Sequence, residues 1–278
     1  MPNPVSRLKQ ILGELLLNGR QLLERMESQS QRLASIEADV SRLAEATAPR
    51  ISVGHATAGR VAPQQVYFGL NELDRTLESY LDIDGGYFVE LGANDGVAQS
   101  NTLHFERFRG WSGVLVEPTP HNFLKCLKTR SDRAKVFCCA CTSFDYRERF
   151  VEIAFSNLMS TPVGLESDIA DPRAHAELGH QFLAPSERVF SFGALARPLN
   201  DLLMEAGSPA WIDLLSLDVE GAEIEVLKGI DHGRYRFRYI CVECRDFDRI
   251  AAYLGQHGYS FVAQLTVHDY LFRDDRAA

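Results

Sequence analysis

The stretch Tyr87-Phe88-Val89-Glu90-Leu91-Gly92-Ala93-Asn94-Asp95-Gly96 constrains this chain more than any other, because a run of β-formers feeds directly into a turn bounded by two glycines. It predicts a buried strand, a tight turn and a following helix, the joint of an α/β sheet. Ligands in such sheets sit beyond the carboxyl ends of the strands, so the turn is the first candidate site. Its Gly-x-x-x-Gly spacing is neither the G-x-G-x-x-G of a dinucleotide site nor a P-loop with its lysine. No Lys or Arg intervenes between Arg75 and Arg107, whereas Glu78, Asp82, Asp84, Glu90, Asp95 and Glu106 all do. Such a run repels a diphosphate and favours a ligand with positive charge.

A second predicted strand, Gly113-Val114-Leu115-Val116-Glu117-Pro118, ends in an acid about 20 residues past the turn, the offset at which a carboxylate grips ribose hydroxyls. A cationic nucleoside satisfies both observations. At these residues the chain resembles the S-adenosylmethionine-dependent methyltransferases of the FkbM family. The second half of that signature is Ile212-Asp213-Leu214-Leu215-Ser216-Leu217-Asp218-Val219-Glu220-Gly221-Ala222-Glu223-Ile224-Glu225-Val226-Leu227-Lys228-Gly229, and the resemblance covers roughly the last three quarters of the chain. It implies S-adenosylmethionine as cofactor, with Gly92, Ala93, Asn94, Asp95 and Gly96 forming the turn against it. Glu90 is expected near its methionine part, Glu117 and Pro118 at its ribose, and Asp218 beside it. The resemblance further implies that Ser100 and Asn101 lie close to the cofactor and that Ala140 lines the adenine.

The N-terminal segment follows a different rule. Val5, Leu12, Gly19, Met26, Leu33 and Val40 fall at heptad position a and Leu8, Leu15, Leu22, Gln29, Ile36 and Leu43 at d, broken only at Gly19 and Gln29. Residues 1–46 are therefore expected to form a coiled-coil helix that joins chains into a homo-oligomer, with docking of that helix on its own domain as the alternative. Residues 47–65 carry Pro49, Gly54, Gly59 and Pro63 among small residues and read as a linker. That leaves 66–278 as the methyltransferase domain.

Periodicity over that domain predicts helices at Phe68–Leu81, Val97–Phe108, Pro120–Arg130, Pro198–Gly207 and Phe247–His257, with a further one from Glu223. Strands are expected at Lys135–Cys141, Arg147–Ala154, Ile212–Val219 and Tyr239–Cys244, and a closing pair within Tyr259–Arg273. The Phe68–Leu81 helix should cover an edge of the sheet. Ser156–Phe192 reads as irregular and as a candidate substrate-facing insertion. The fold class is α/β, a doubly wound Rossmann-like methyltransferase sheet with an antiparallel terminal strand, preceded by the coiled-coil helix.

Composition narrows the partners. A net charge of -9 over 278 residues argues against a nucleic-acid backbone as the main partner. No apolar run is long enough for a membrane span, and no secretory pattern is present. Cys241 and Cys244 have C-x-x-C spacing, but strand alternation sends them to opposite faces and no second pair completes a zinc site. Reduced thiols fit a cytoplasmic protein.

The acids at two strand ends, Asp218 and Glu243, with Glu220 just beyond, are the catalytic candidates. The relatives that the chain resembles mostly methylate oxygen on sugars or natural-product scaffolds, so the expected acceptor is a sugar hydroxyl. Such a hydroxyl is too weak an acid to react unaided, so these carboxylates either take its proton or hold a divalent ion such as magnesium. His104 ranks behind them. A noncatalytic coiled-coil scaffold with a methyltransferase-like binding domain is the alternative function, and a nucleotide-sugar or NAD enzyme is disfavoured by the acidic turn.

Overall fold

The computed structural model describes residues 66–277. The coiled coil expected over 1–46 and the linker over 47–65 lie outside the described residues. The strands are β1 (Tyr87–Leu91), β2 (Ser112–Val116), β3 (Ala134–Phe137), β4 (Ala140–Cys141), β5 (Phe150–Phe155), β6 (Thr161–Val163), β7 (Phe190–Arg197), β8 (Trp211–Leu217), β9 (Arg236–Glu243), β10 (Tyr259–Gln264) and β11 (Asp269–Asp274). The helices are α1 (Leu73–Glu78), α2 (Leu103–Phe108), α3 (Pro120–Thr129), α4 (Pro172–Leu178), α5 (Leu199–Ala206), α6 (Glu223–Leu227) and α7 (Phe247–Gln256).

A seven-stranded sheet runs β10-β11-β9-β8-β1-β2-β3, with β3, β2, β1, β8 and β9 parallel and β11 antiparallel to β9 and β10. This is the Rossmann-like methyltransferase arrangement, with its antiparallel edge. Strand alternation divides the core between two faces. Val89 and Leu91 of β1, Leu215 of β8 and Ile240 of β9 pack against Leu202 of α5, Val226 of α6 and Leu254 of α7. Phe88, Leu214, Cys241 and Leu271 pack on the other face with Leu77 of α1, Phe105 of α2 and Cys126 of α3. Cys241 and Cys244 do fall on opposite sides, and all six thiols are free.

The order reverses between β1 and β8, so the chain leaves that point in two directions and opens a crevice there. Gly92 shows how tightly the two strand ends meet. Its φ of 80° is left-handed, and a Cβ there would collide with the Asp218 carbonyl oxygen. Only glycine satisfies both conditions.

Four expectations need correction. The helix predicted from Val97 begins only at Leu103, because the side chains and amides of Ser100, Asn101 and Thr102 bond to Glu90 instead of to a helical ladder. Phe68–Leu81 shortens to a 3-10 turn at Leu70–Glu72 and α1, and Leu73, Leu77 and Leu81 lie on a sheet face rather than along an edge, while Leu70 is exposed. Lys135–Cys141 splits into β3 and β4, since an outermost strand has a ladder partner on one side only and is free to leave. The freed half joins a second sheet, β4-β7-β5-β6. Ser156–Phe192 is therefore not irregular: it holds β6, α4 and the start of β7. Antiparallel pairing of β5 with β7, Val151 opposite Ala194, buries a small apolar cluster that periodicity over so short a span could not reveal.

Candidate functional site

A cavity of about 320 Å³ lies over the carboxyl ends of β1, β2, β8 and β9, within the range of small-molecule sites. Of the residues expected there, Gly92, Ala93, Asn94, Ser100, Pro118 and Ala140 line it, together with the four acids Glu117, Asp218, Glu220 and Glu243. Glu90, Asp95, Gly96 and Asn101 do not.

Alternation explains Glu90. It shares the face of Phe88, beneath the 100–102 segment, and accepts from Ser100 Oγ at 3.0 Å, Asn101 N at 2.9 Å and Thr102 Oγ1 at 2.6 Å. Arg130, almost wholly buried, donates to Glu90 at 3.1 Å and to Glu106 at 2.7 Å, and its Nη1 also reaches the Gly96 carbonyl. Asn101 Nδ2 donates to Ser216 Oγ of β8 at 3.1 Å, and Asp95 Oδ1 accepts from Val97 N and Ala98 N. These residues hold the turn from behind. The charge count of the sequence therefore needs revision: Glu78, Asp82 and Asp84 are all paired with Arg109, and Glu90 and Glu106 with Arg130. The negative character of the cavity comes from other acids.

Glu117, 5% exposed, follows β2 and accepts from Asn94 N at 2.9 Å and Thr119 N at 2.8 Å. Burial pushes its carboxyl up to about 7, against the pull of those amides. Asp218 and Glu243 stand one step beyond the last register pair of β8 and β9, Leu217 with Val242, so the two carboxyls face each other. Burial, then the Glu243 charge, drives Asp218 well above the usual carboxylate range, and burial with Glu220 and Asp269 nearby raises Glu243. The two carboxyls lie close enough that the charge of one opposes ionisation of the other, an arrangement in which one keeps its proton.

Oxygens of Asp218, Glu220 and Glu243 lie within 4.8 Å of one another. Glu220, at a left-handed φ of 53°, is already engaged: its Oε2 accepts from Arg245 Nη2 at 3.0 Å and faces His175 Nε2 of α4 at 2.9 Å. Oε1 stays free, but the Arg245 guanidinium held at Oε2 puts a positive charge beside the three acids, which suits a proton shared among carboxyls better than a divalent ion.

Several participants were not foreseen. Glu223 Oε1 accepts from Val219 N and Gly221 N, shaping the loop that presents Asp218, and burial lifts its carboxyl to about 8. An acid in the first turn of a helix is the signal that could have found it. Leu158, Met159 and Phe182 from the 156–189 insertion wall the cavity, as does Arg245. Four lining residues, Asn94, Gln99, Asn157 and Glu220, hold positive φ although none is glycine. Strained backbone gathers at sites of function. His104 stays in the core, stacked on Tyr67, with Nδ1 against the Val66 carbonyl.

A doubly wound sheet with an acid-lined crevice at its switch point, and a carboxylate after the second strand, defines a nucleoside-binding α/β enzyme of the methyltransferase class. Residues 90–261 match the methyltransferase FkbM domain, and the chain belongs to that family. It is an S-adenosylmethionine-dependent methyltransferase. Among solved structures it is similar to a putative RNA methyltransferase from Pyrococcus horikoshii, at 14% identity and a TM-score of 0.38, covering 74% of this chain and 82% of that one. A precorrin-6y C5,15-methyltransferase from Geobacter metallireducens gives 12%, 0.38, 78% and 91%. The N-terminal domain of human METTL16 in complex with SAH gives 12%, 0.35, 73% and 67%. No curated protein matches. Among the described residues no helix is long and apolar enough to cross a membrane.

Proposed function

We propose that S-adenosylmethionine binds in this cavity and that the enzyme methylates a hydroxyl of an uncharged sugar on a glycan or natural-product scaffold. The observation that carries this reading is the close pair of buried carboxyls, Asp218 and Glu243, at the end of two adjacent strands. S-adenosylmethionine supplies an electrophilic methyl group when bound. Glu117 keeps lone pairs beyond the two amides it accepts, and these suit ribose hydroxyls. Gly92, Ala93 and Asn94 offer backbone to the cofactor, Pro118 stands beside Glu117 at its ribose, Ala140 lines its base, and Ser100 stands at the methionine side. Glu90, Asp95, Gly96 and Asn101 position that turn without lining the cavity.

The ionised member of the Asp218–Glu243 pair takes the acceptor proton, and Glu220, fixed by Arg245 and His175, keeps the pair in place. Four carboxyls and one guanidinium, that of Arg245, line the cavity, a balance that favours an uncharged acceptor over a phosphate-bearing one. A magnesium-bound mechanism fits the donor set less well, and no step is assigned to it. Free, mostly buried thiols support a cytoplasmic location. The heptads of residues 1–46 support self-association; deleting that segment should lower the number of chains per particle in light scattering and leave cofactor affinity unchanged.

Calorimetry with S-adenosylmethionine tests the cofactor half. A panel of neutral sugars, the same sugars phosphorylated, and RNA, assayed with label in the methyl group, tests the acceptor half. Label on neutral sugars, unaffected by chelator, is expected. Label mainly on RNA, or activity lost to chelator and restored by magnesium, overturns the acceptor or the base assignment respectively.

A further inference from the structure

The two walls of the cavity come from distant stretches of sequence and meet at a pair of asparagines. Asn94, in the turn after β1, and Asn157, in the 3-10 turn after β5, both line the cavity and both hold left-handed φ, 46° and 55°. Asn157 Nδ2 donates to the Phe182 carbonyl at 2.9 Å. A carbonyl can only accept, so this bond fixes the amide's orientation and turns Oδ1 towards Asn94, whose Nδ2 donates to it at 3.0 Å. The Asn94 backbone N–H donates in turn to Glu117 Oε2 at 2.9 Å.

A continuous hydrogen-bonded chain thus runs from Phe182 through Asn157 and Asn94 to the acid facing the nucleoside end. Among the described residues, Asn94–Asn157 is the side-chain bond that joins 156–189 to 92–98. The insertion's other ties go elsewhere: Thr161 Oγ1 donates to the Glu220 carbonyl and Asp168 N to the Gly221 carbonyl in the loop after β8, and His175 faces Glu220. Asp168 Oδ2 accepts from Arg245 N and Asp246 N after β9, Glu166 pairs with Lys228 and Arg249, and Glu187 faces His121 of α3. The 3-10 turn is itself braced against Gly179, where an added Cβ would meet Ser156 Oγ and Met159. Leu158, Met159 and Phe182 therefore move with Asn157.

We propose that Asn157 is a positioning residue that couples the insertion wall to the cofactor turn, so that filling the nucleoside end of the cavity holds residues 157–182 in place for the acceptor. The inference rests on the cofactor reading above. It makes cofactor and acceptor bind cooperatively, and by reciprocity the bridge raises cofactor affinity.

Hydrogen exchange on the full chain, with S-adenosylhomocysteine as an unreactive probe, tests it in the natural protein and in Asn157→Gly. Glycine accepts the left-handed φ without strain, so this variant removes only the side chain's two bonds, to Asn94 and to the Phe182 carbonyl, and the change in exchange caused by the probe isolates the coupling from the loss of the second. In the natural protein, probe at 100 times its Kd should slow exchange at both 92–98 and 157–182, by up to about a hundredfold where opening releases the ligand. In Asn157→Gly the slowing should persist at 92–98 and largely vanish at 157–182, with probe affinity lowered about three- to tenfold, the worth of one hydrogen bond. Unchanged exchange in β8 serves as the folding control. Equal slowing of 157–182 in the variant overturns the proposal, as does protection of 92–98 without 157–182 in the natural protein. No slowing at 92–98 in either protein removes the cofactor reading, and this inference with it.

Discussion

Two groups of buried acids flank the turn after β1, and they differ in what faces them. Behind the turn, Glu90 and Glu106 close on Arg130, and every oxygen they present there meets a guanidinium, a hydroxyl or an amide. In front of it, Asp218 and Glu243 face each other, with Glu220 and Glu223 near. Desolvation is costly in both places, but the first group is compensated inside the fold and the second is not. A carboxylate whose partner is a buried arginine holds the chain together, while one whose neighbour is another carboxylate is left with something to bind.

The comparison breaks most visibly at Arg130. Arg130→Met strands two buried carboxylates and should cost about 3–5 kcal/mol of stability in urea unfolding. Adding Glu90→Gln and Glu106→Gln to that variant should recover much of the loss, because the charges disappear together. If the single variant is as stable as the natural protein, the group behind the turn is not the anchor described here.

On the other side, Asp218→Asn should leave urea stability unchanged or slightly raised, since it leaves the single charge of the pair in place and removes a carboxyl that is costly to ionise there. Turnover should nevertheless fall by at least about a hundredfold, some 2.7 kcal/mol of barrier. A variant that keeps turnover excludes Asp218 as the base. Glu117→Ala is expected to cost about 1.5–3 kcal/mol in S-adenosylmethionine binding, read by calorimetry, as it deletes an acceptor for the ribose and orphans two amides. Glu117→Gln, which keeps shape and some acceptor capacity, should lose less.

Sequence made one side of this comparison far more legible than the other. Gly92, Glu117, Asp218 and Glu243 all follow from a local rule, that a strand's carboxyl end in an α/β sheet opens on the ligand. Glu90 obeys the same pattern yet points away, because one step of strand alternation moves it to the opposite face. Its partner Arg130 lies 40 residues on, at the end of α3, and nothing local pairs them. The same limit hid the insertion wall. Asn157 and Phe182 are brought to the cavity by the pairing of β5 with β7, a contact decided by tertiary packing rather than by periodicity. His175 reaches Glu220 only because α4 is carried on that wall. The net acidity of the site was anticipated from acids that turn out to be spent on Arg109 and Arg130.

The smallest expected effect is also the one that reads the acids without a buried arginine partner directly. Burial raises Glu117 to about 7 and Glu223 to about 8, and raises the Asp218–Glu243 pair, whereas all titrate near the ordinary carboxylate value once unfolded. The folded protein therefore binds more protons than the unfolded chain across this range, and stability falls as pH rises through the folded values. His232 has the opposite sign: burial lowers it to about 4, so its contribution is lost only as pH drops below the ordinary histidine value. The window from about pH 7 to 8.5 is thus governed mainly by the carboxyls. Ligand-free protein should lose roughly 1–2 kcal/mol of unfolding free energy across it. Glu223→Gln should flatten that slope most and Glu117→Gln somewhat less, because Glu223 stays protonated to higher pH. A slope of zero or of opposite sign in the natural protein would mean that these acids are ionised and compensated in the fold, and the contrast between the two sides of the turn would collapse.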